Sequence, residues 1–86
     1  MSRILNAEDY GLPKRVQLIK IEDNKIGIVK RIKSRIIMKD GVKILETAKC
    51  IWRLDNQQDI ALLISGPICS KTRKYLKENK VEIIAD

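Results

Sequence analysis

Five consecutive apolar residues, Ile60 to Ile64, constrain the fold of this chain most strongly. A strand with one face in water alternates apolar and polar residues, and this run has no polar position. Polar and turn-forming segments, residues 55–59 and 65–67, bound the run on both sides and favour a short strand over a helix. We therefore predict a central strand that is covered on both faces and paired in parallel with its neighbours.

Helical periodicity appears on both sides of this strand. Asp40 is the predicted N-cap of the first helix, because its side chain can accept from first-turn N–H groups. Pro67 suits the first position of the second helix, where its missing N–H is no loss, and Asn79 is the predicted end. The predicted buried positions are Ile44, Leu45, Ala48, Ile51 and Trp52 in the first helix and Ile68, Cys69, Thr72, Tyr75 and Leu76 in the second.

The remaining elements are strands. Residues 16–21 and 25–32 are rich in β-branched side chains and flank a Glu-Asp-Asn turn, which predicts a hairpin with a possible bulge at Gly27. Residues 81–85 predict the last strand. The order β-β-α-β-α-β gives a single α/β domain (bordering on α+β) with a small mixed sheet of about four strands and two helices mainly on one face. Its parts are an irregular segment 1–13, a basic hairpin region 14–39 and an α-β-α-β unit 40–86.

Two helices on one face leave the other face of the sheet without a cover. An uncovered apolar face is a liability in water. We therefore expect this chain to form a homo-oligomer, most simply a homodimer, or to dock on a partner protein.

Composition narrows the class of protein. Of 86 residues, 44% are hydrophobic but only 3% aromatic, so the predicted core is aliphatic. The sequence contains no apolar leader and no run long enough to span a membrane, from which we predict a cytoplasmic protein. Two cysteines do not make a disulfide framework. Abundant Ile and Lys are typical of a thermophilic or archaeal source.

Histidine is absent from the sequence. No Ser-His-Asp or Cys-His set can therefore exist, and the commonest general base is missing. Two distant cysteines without histidine also give poor support for a metal site. We accordingly predict no catalytic residues, no metal and no cofactor, and a protein that is not an enzyme.

Positive charge is concentrated in residues 14–39. This segment holds nine basic and two acidic residues, which accounts for the whole net charge of +7. Such a concentration indicates an anionic partner, and one hypothesis is sequence-independent binding of nucleic acid through phosphate contacts. The residues that would bind are Lys14, Arg15, Lys20, Lys30, Arg31, Lys33 and Arg35. The alternative is a solvated basic hairpin that only keeps the protein soluble.

The turn after the apolar run is a second candidate site. A strand followed by Gly and a helix N-terminus can bind an anion through backbone N–H groups and the helix dipole. The spacing departs from a Walker A loop, because Ser70 stands where the second glycine belongs. The predicted small-anion residues are Ser65, Gly66, Ser70 and Lys71, and the alternative is an ordinary strand-to-helix turn.

Cys69 supplies a third hypothesis, a reactive thiol. It lies at the start of the predicted helix, where the dipole and nearby cations lower the pKa of a thiol. Residues 67–78 resemble the Cys-Ser-Lys-x-Arg-Lys-x-Leu segment of arsenate reductases with a thioredoxin fold. In that family most of the domain follows the cysteine, whereas only one strand follows it here. The alternative is a cysteine packed in the core.

Residues 16–85 resemble the accessory and carrier domains of nitrogenase iron–molybdenum cofactor biosynthesis. The resemblance lies in the segments 18–26 (LIKIEDNKI), 41–45 (GVKIL), 60–67 (IALLISGP) and 76–84 (LKENKVEII). It implies a ribonuclease-H-like fold. The family's histidine-bearing loop has no counterpart here, so metallocluster binding is not implied.

Together these patterns predict a small non-catalytic binding or accessory module. Its expected partner is an anionic small molecule or another protein, recognised near residues 65–71. Nucleic-acid binding through residues 14–39 and thiol chemistry at Cys69 are the alternatives.

Overall fold

A computed structural model describes residues 3–31 and 33–85, together with their side chains except that of Arg3. These residues form five strands, two α-helices and one short 3-10 helix. The elements are β1 (Arg3–Leu5), the 3-10 helix (Ala7–Tyr10), β2 (Gln17–Glu22), β3 (Lys25–Lys30), α1 (Met38–Leu54), β4 (Asp59–Ile64), α2 (Ser70–Glu78) and β5 (Val81–Ala85).

The strands form one mixed sheet in the order β1-β2-β3-β4-β5. The β1–β2 and β2–β3 pairs are antiparallel, and the β3–β4 and β4–β5 pairs are parallel. The predicted fold class is confirmed, as is the parallel pairing of the central apolar strand. The sheet has one strand more than predicted, because the N-terminal segment adds β1 at the edge and pairs Ile4 with Ile19.

The predicted hairpin is present as β2 and β3. Its register irregularity lies between Lys20 and Glu22, and Gly27 pairs regularly with Ile19, so the predicted bulge at Gly27 is wrong. Close packing explains the glycine instead, since a Cβ on Gly27 would lie 2.9 Å from Cδ1 of Ile21. The predicted last residue of this strand, Ile32, lies outside the described residues.

Both helices pack on one face of the sheet, and the core lies between them. Leu18, Ile28 and Leu62 are paired across β2, β3 and β4, and each is at most 4% exposed. Alternate residues of the same strands point to the other face, which no helix of the described residues covers. The apolar run of β4 is nonetheless buried apart from the half-buried Leu63, as predicted, although helices cover only one of its faces. Its second face is shielded by neighbouring side chains on the sheet, which bury the small Ala61 completely.

The beginnings of both helices differ from the prediction. Helix α1 starts at Met38, and Asp40 is its third residue, where Oδ2 accepts from the N–H of Ile37 at 3.2 Å. Helix α2 starts at Ser70 and not at Pro67, because Ile68 is held extended in a bridge with Ile36.

The end of α2 is confirmed at Asn79, whose Nδ2 donates to the Tyr75 carbonyl oxygen at 2.8 Å. Across the part of the chain that the structure describes, neither helix combines the length and apolar character needed to cross a membrane.

Candidate anion-binding site

Two loops meet at the carboxyl ends of the parallel strands. The loop after β3 (residues 31 and 33–37 of the described chain) and the loop after β4 (residues 65–69) form a short parallel bridge between Ile36 and Ile68. The N–H of Ile36 donates to the Pro67 carbonyl oxygen at 3.0 Å, and the N–H of Cys69 donates to the Ile36 carbonyl oxygen at 2.8 Å. Ligands of open sheets with parallel strands bind preferentially outside the carboxyl ends of the strands. We call this end of the sheet, with its two loops, the carboxyl edge.

Helix α2 begins at the carboxyl edge and presents its N-terminus there. Cys69 is the N-cap residue, but its side chain makes no capping hydrogen bond. The N–H groups of Ser70, Lys71 and Thr72 belong to the first turn and so have no acceptor within the helix. The first turn contains no acidic residue. No acidic side chain in the first turn of α2 therefore neutralises the positive end of the helix dipole.

Thr72 adds a buried hydroxyl to this N-terminus. The residue is 0% exposed, and its Oγ1 has no hydrogen-bond partner among the described residues. Its methyl group packs against α1 so closely that a Cβ on Gly41 would lie 2.7 Å from Thr72 Cγ2. The packing of the two helices thus fixes a polar group that could donate to a ligand.

Electrostatics at Cys69 favour negative charge. The N–H groups of Lys71 and Thr72, the Thr72 hydroxyl and the charge of Arg35 together lower the pKa of the Cys69 thiol, against a smaller opposing effect of burial. The lowered pKa of the half-buried Cys69 thiol therefore indicates that the start of α2 stabilises negative charge. Arg35 directly precedes Ile36, whose backbone is hydrogen-bonded to Pro67 and Cys69, so its charge also acts near this helix N-terminus.

The fold gathers most of the predicted nucleic-acid residues at the same edge. Gln17 pairs with Val29, so the segment before β2 and the segment after β3 lie at one end of the sheet. Lys14 and Arg31 accordingly line one cleft of about 550 Å³. Residues of both predicted sites therefore share the carboxyl edge, namely Lys14, Arg15, Lys30, Arg31, Lys33 and Arg35 from one and Ser65, Gly66, Ser70 and Lys71 from the other.

Lys20 is the exception among the predicted residues. It lies within β2, pairs with Ile26 and is half-buried, so the structure separates it from the carboxyl edge. Two carboxylates near the edge are already engaged. Glu8 lies 3.9 Å from the Nζ of Lys14, and Asp40 accepts from the N–H of Ile37.

The opposite end of the sheet is acidic. Glu22 is the last residue of β2 and Asp23 lies in the turn before β3. Asp59 begins β4 beside them, where its N–H donates to the Asn24 carbonyl oxygen at 2.7 Å. Asp55 lies just beyond the end of α1, in the loop before β4. Acidic side chains thus lie at this end together with Lys25, Arg53 and Lys80, whereas the cations before β2 and after β3 lie at the carboxyl edge.

Other chemistry has less support from the geometry. Within residues 3–31 and 33–85, no group of three or more Asp, Glu, Cys or His side chains could hold a metal ion. Both cysteines are free thiols, and the half-buried Cys50 packs against the core.

Sequence reasoning missed two contributors to the site. Thr72 was assigned only to the buried face of α2, although a threonine at a fully buried position, three residues after the N-cap, is itself a departure from the apolar pattern. Ile36 joins the loops through backbone groups, which no residue pattern reveals.

Comparison with protein-family models, curated proteins and solved structures finds no match to this chain. The geometry of the carboxyl edge is accordingly the basis on which a function can be argued.

Proposed function

We propose that this protein is a non-catalytic binding module that recognises a small anionic ligand, such as a phosphate group, at the carboxyl edge. One observation carries the proposal: the hydrogen bonds between Ile36, Pro67 and Cys69 hold the basic loop after β3 against the N-terminus of α2. A flexible cationic loop alone would bind anions weakly and would not orient them. Fixed N–H donors beside a guanidinium provide both direction and charge.

The donors suit an oxyanion. The N–H groups of Ser70, Lys71 and Thr72 would donate to one or two oxygens, and the Thr72 hydroxyl could donate to another. Arg35 and Lys71 would each supply one positive charge. The Cys69 thiolate would compete for the same donors, because they stabilise it as well. Anion affinity should therefore fall as pH rises through the pKa of the Cys69 thiol, and a bound anion should raise that pKa.

A titration of the full chain with inorganic phosphate, followed by amide NMR, tests the proposal. We expect the largest shifts at Ser70, Lys71 and Thr72. The variant Arg35→Ala should weaken binding about tenfold, the effect of losing roughly 1.4 kcal/mol from a charge-assisted contact. Lys77→Ala is the matched control, since it removes an exposed cation from the last turn of the same helix. Shifts that are absent, or equal losses in both variants, would contradict the proposal.

A second candidate function is binding of nucleic acid at the same edge. The specific observation is that cations extend across the sheet from Lys71 to Lys14, farther than one phosphate needs. Successive phosphates of a strand could follow this line, and such binding weakens steeply with salt. The variant Lys33→Glu with Arg15→Glu would reduce oligonucleotide affinity strongly and leave inorganic phosphate binding nearly unchanged. Fluorescence anisotropy with short RNA and DNA at two salt concentrations measures the difference.

The hypothesis of thiol chemistry at Cys69 stays a prediction, and so does the resemblance to nitrogenase accessory domains. Both are separable from the proposed site. A variant with Cys69→Ala should retain phosphate binding if the N–H groups and Arg35 are the ligand contacts.

A further inference from the structure

The sheet face opposite the helices is apolar and has no cover from the described residues. We call it the open face. Ile4, paired with Ile19 at its edge, is 89% exposed. The other large residues are half-buried by one another and not by a second layer. The members of the open face are Ile4, Ile19, Ile21, Gly27, Val29, Ala61, Leu63 and Ile84.

The centre of the open face is covered by side chains of neighbouring residues. Gly27 and Ala61 are paired neighbours on β3 and β4, and both are buried although they have little or no side chain. The side chains of Ile19, Ile21 and Leu63 lie within about 3 Å of where a Cβ on Gly27 would be. The open face is therefore a continuous aliphatic surface, which can pack against a second sheet.

The rims of the open face have opposite charge. At the acidic rim, Lys25 forms an ion pair with Glu82 across β4 and is also close to Glu22 and Asp59. These four residues carry more negative than positive charge. At the other rim lie the cations that precede β2 and follow β3, among them Arg15 and Lys33. A second copy packed with its strands reversed would place each basic rim against an acidic one.

The size of the face explains why the rims matter. Five strands about 4.8 Å apart and some 18 Å long give a face of roughly 400 Å². A stable dimer buries about 800 Å² from each partner, so the apolar face alone is too small. The charged rims would have to supply the remainder, and they do so only when the strands are antiparallel.

We propose that two copies of this chain form a dimer, open face to open face, with the strands of one sheet running opposite to those of the other. This inference goes beyond anion binding. Both helical layers lie on the outside of such a dimer, which leaves the start of α2 accessible in each copy. The two sites would lie at opposite ends of the assembly.

Sedimentation equilibrium of the full chain, from micromolar to millimolar concentration, tests the dimer. We expect a mass of twice 9.9 kDa at the higher concentrations, and weaker association in high salt. Leu63→Asp should raise the dissociation constant at least about tenfold, because it buries an unpaired charge. Val42→Asp is the matched control on the outer surface of α1, where the side chain is 40% exposed. Circular dichroism would verify that both variants are folded.

Charge reversal tests the orientation. Arg15→Glu with Lys33→Glu should weaken the dimer, and so should Glu22→Lys with Asp59→Lys. In a dimer with parallel strands the two basic rims would face each other, so Arg15→Glu with Lys33→Glu would strengthen that dimer by relieving repulsion. A monomer at every concentration, or a dimer indifferent to Leu63→Asp, would overturn the proposal. A dimer that Arg15→Glu with Lys33→Glu strengthens would overturn the antiparallel arrangement. None of these results depends on phosphate binding.

Discussion

The two ends of the sheet differ in how their polar groups are used. At the acidic end, donors and acceptors serve the fold. Trp52 Nε1 donates to the Gln58 carbonyl oxygen at 2.7 Å, and Asp55 accepts from the N–H of Gln57 and from Nε2 of Gln58. One acceptor there, Oε1 of Gln58, is buried without a partner among the described residues.

At the carboxyl edge, donors exceed acceptors. The N–H groups in the first turn of α2 have no acceptor within the helix, Thr72 adds a hydroxyl, and the loop after β3 adds cations. Surplus donors at one end, and hydrogen bonds within the chain at the other, are the expected result when one end is kept for a ligand and the other stabilises the fold. The contrast can be tested by asking which substitutions change stability and which change binding.

The largest expected effect is on stability, at the acidic end. Trp52→Ala should reduce the free energy of unfolding by about 3 kcal/mol, because it removes core packing and the bond to Gln58. Phosphate affinity of the folded fraction should not change. Urea unfolding measures the first quantity, and Leu54→Ala at a 62% exposed position is the control, with a change under about 0.5 kcal/mol. A loss of phosphate affinity in Trp52→Ala would break the contrast between the ends.

Thr72→Val should have opposite effects on stability and binding. It replaces a buried, unpartnered hydroxyl with a methyl group of similar size, which we expect to stabilise the fold by about 1 kcal/mol. Phosphate affinity should fall severalfold, because one donor is lost. Thr47→Val is the control, since the Thr47 hydroxyl is on α1 and donates to the Lys43 carbonyl oxygen. A destabilised Thr72→Val variant would mean that the hydroxyl serves the fold.

The reactivity of Cys69 should report the electrostatics of the carboxyl edge. With Cys50 replaced by Ala, iodoacetamide should label Cys69 at neutral pH severalfold faster than a free peptide thiol, because its pKa is lowered. Arg35→Ala should slow the reaction, and saturating phosphate should slow it further in the parent chain. Labelling that is insensitive to phosphate would mean that the anion does not meet the donors of α2.

The smallest expected effect belongs to the ion pair on the open face. The hydrogen bond from Lys25 to Glu82 raises the pKa of Lys25. Because the pKa is higher in the folded state, the pair stabilises the fold while Lys25 is protonated, and this contribution disappears as pH rises above 10.5 through the folded pKa. Glu82 is more than half exposed, so Glu82→Gln should cost only about 0.5 kcal/mol near neutral pH.

Urea unfolding of dilute, monomeric protein at neutral and strongly alkaline pH measures that difference. Glu78→Gln is the control, because its 4.0 Å pairing with Lys74 lies on the exposed surface of α2. A cost that persists in alkali would contradict the assignment to Lys25.

Local patterns in the sequence predicted the elements better than their junctions. The strand over residues 81–85 and the helix end at Asn79 follow from side-chain chemistry within a few residues, and both are confirmed. The start of α2 was predicted at Pro67 because proline favours the first turn of a helix. A contact with Ile36, distant in sequence, holds that segment extended instead.

The candidate site was predicted only in separate parts. The basic region and the turn at residues 65–71 were two competing hypotheses from the sequence. Their adjacency depends on strand order and register, which place the start of β2, the end of β3 and the end of β4 at one edge. Strand β1 was missed because three residues are too few to show a period.

The pair of backbone hydrogen bonds at Ile36 has a consequence for the order in which the protein acquires its site. The bonds join segments separated in sequence by all of α1 and β4, so closing them requires the β3-α1-β4 crossover to be in place. During folding, the hydrogen bonds of the carboxyl edge should therefore form after the hairpin. In the folded protein, they should break more readily than the hydrogen bonds of the sheet. Hydrogen exchange at the amides of Ile36 and Cys69, set against that of β4, would follow this sub-global opening directly.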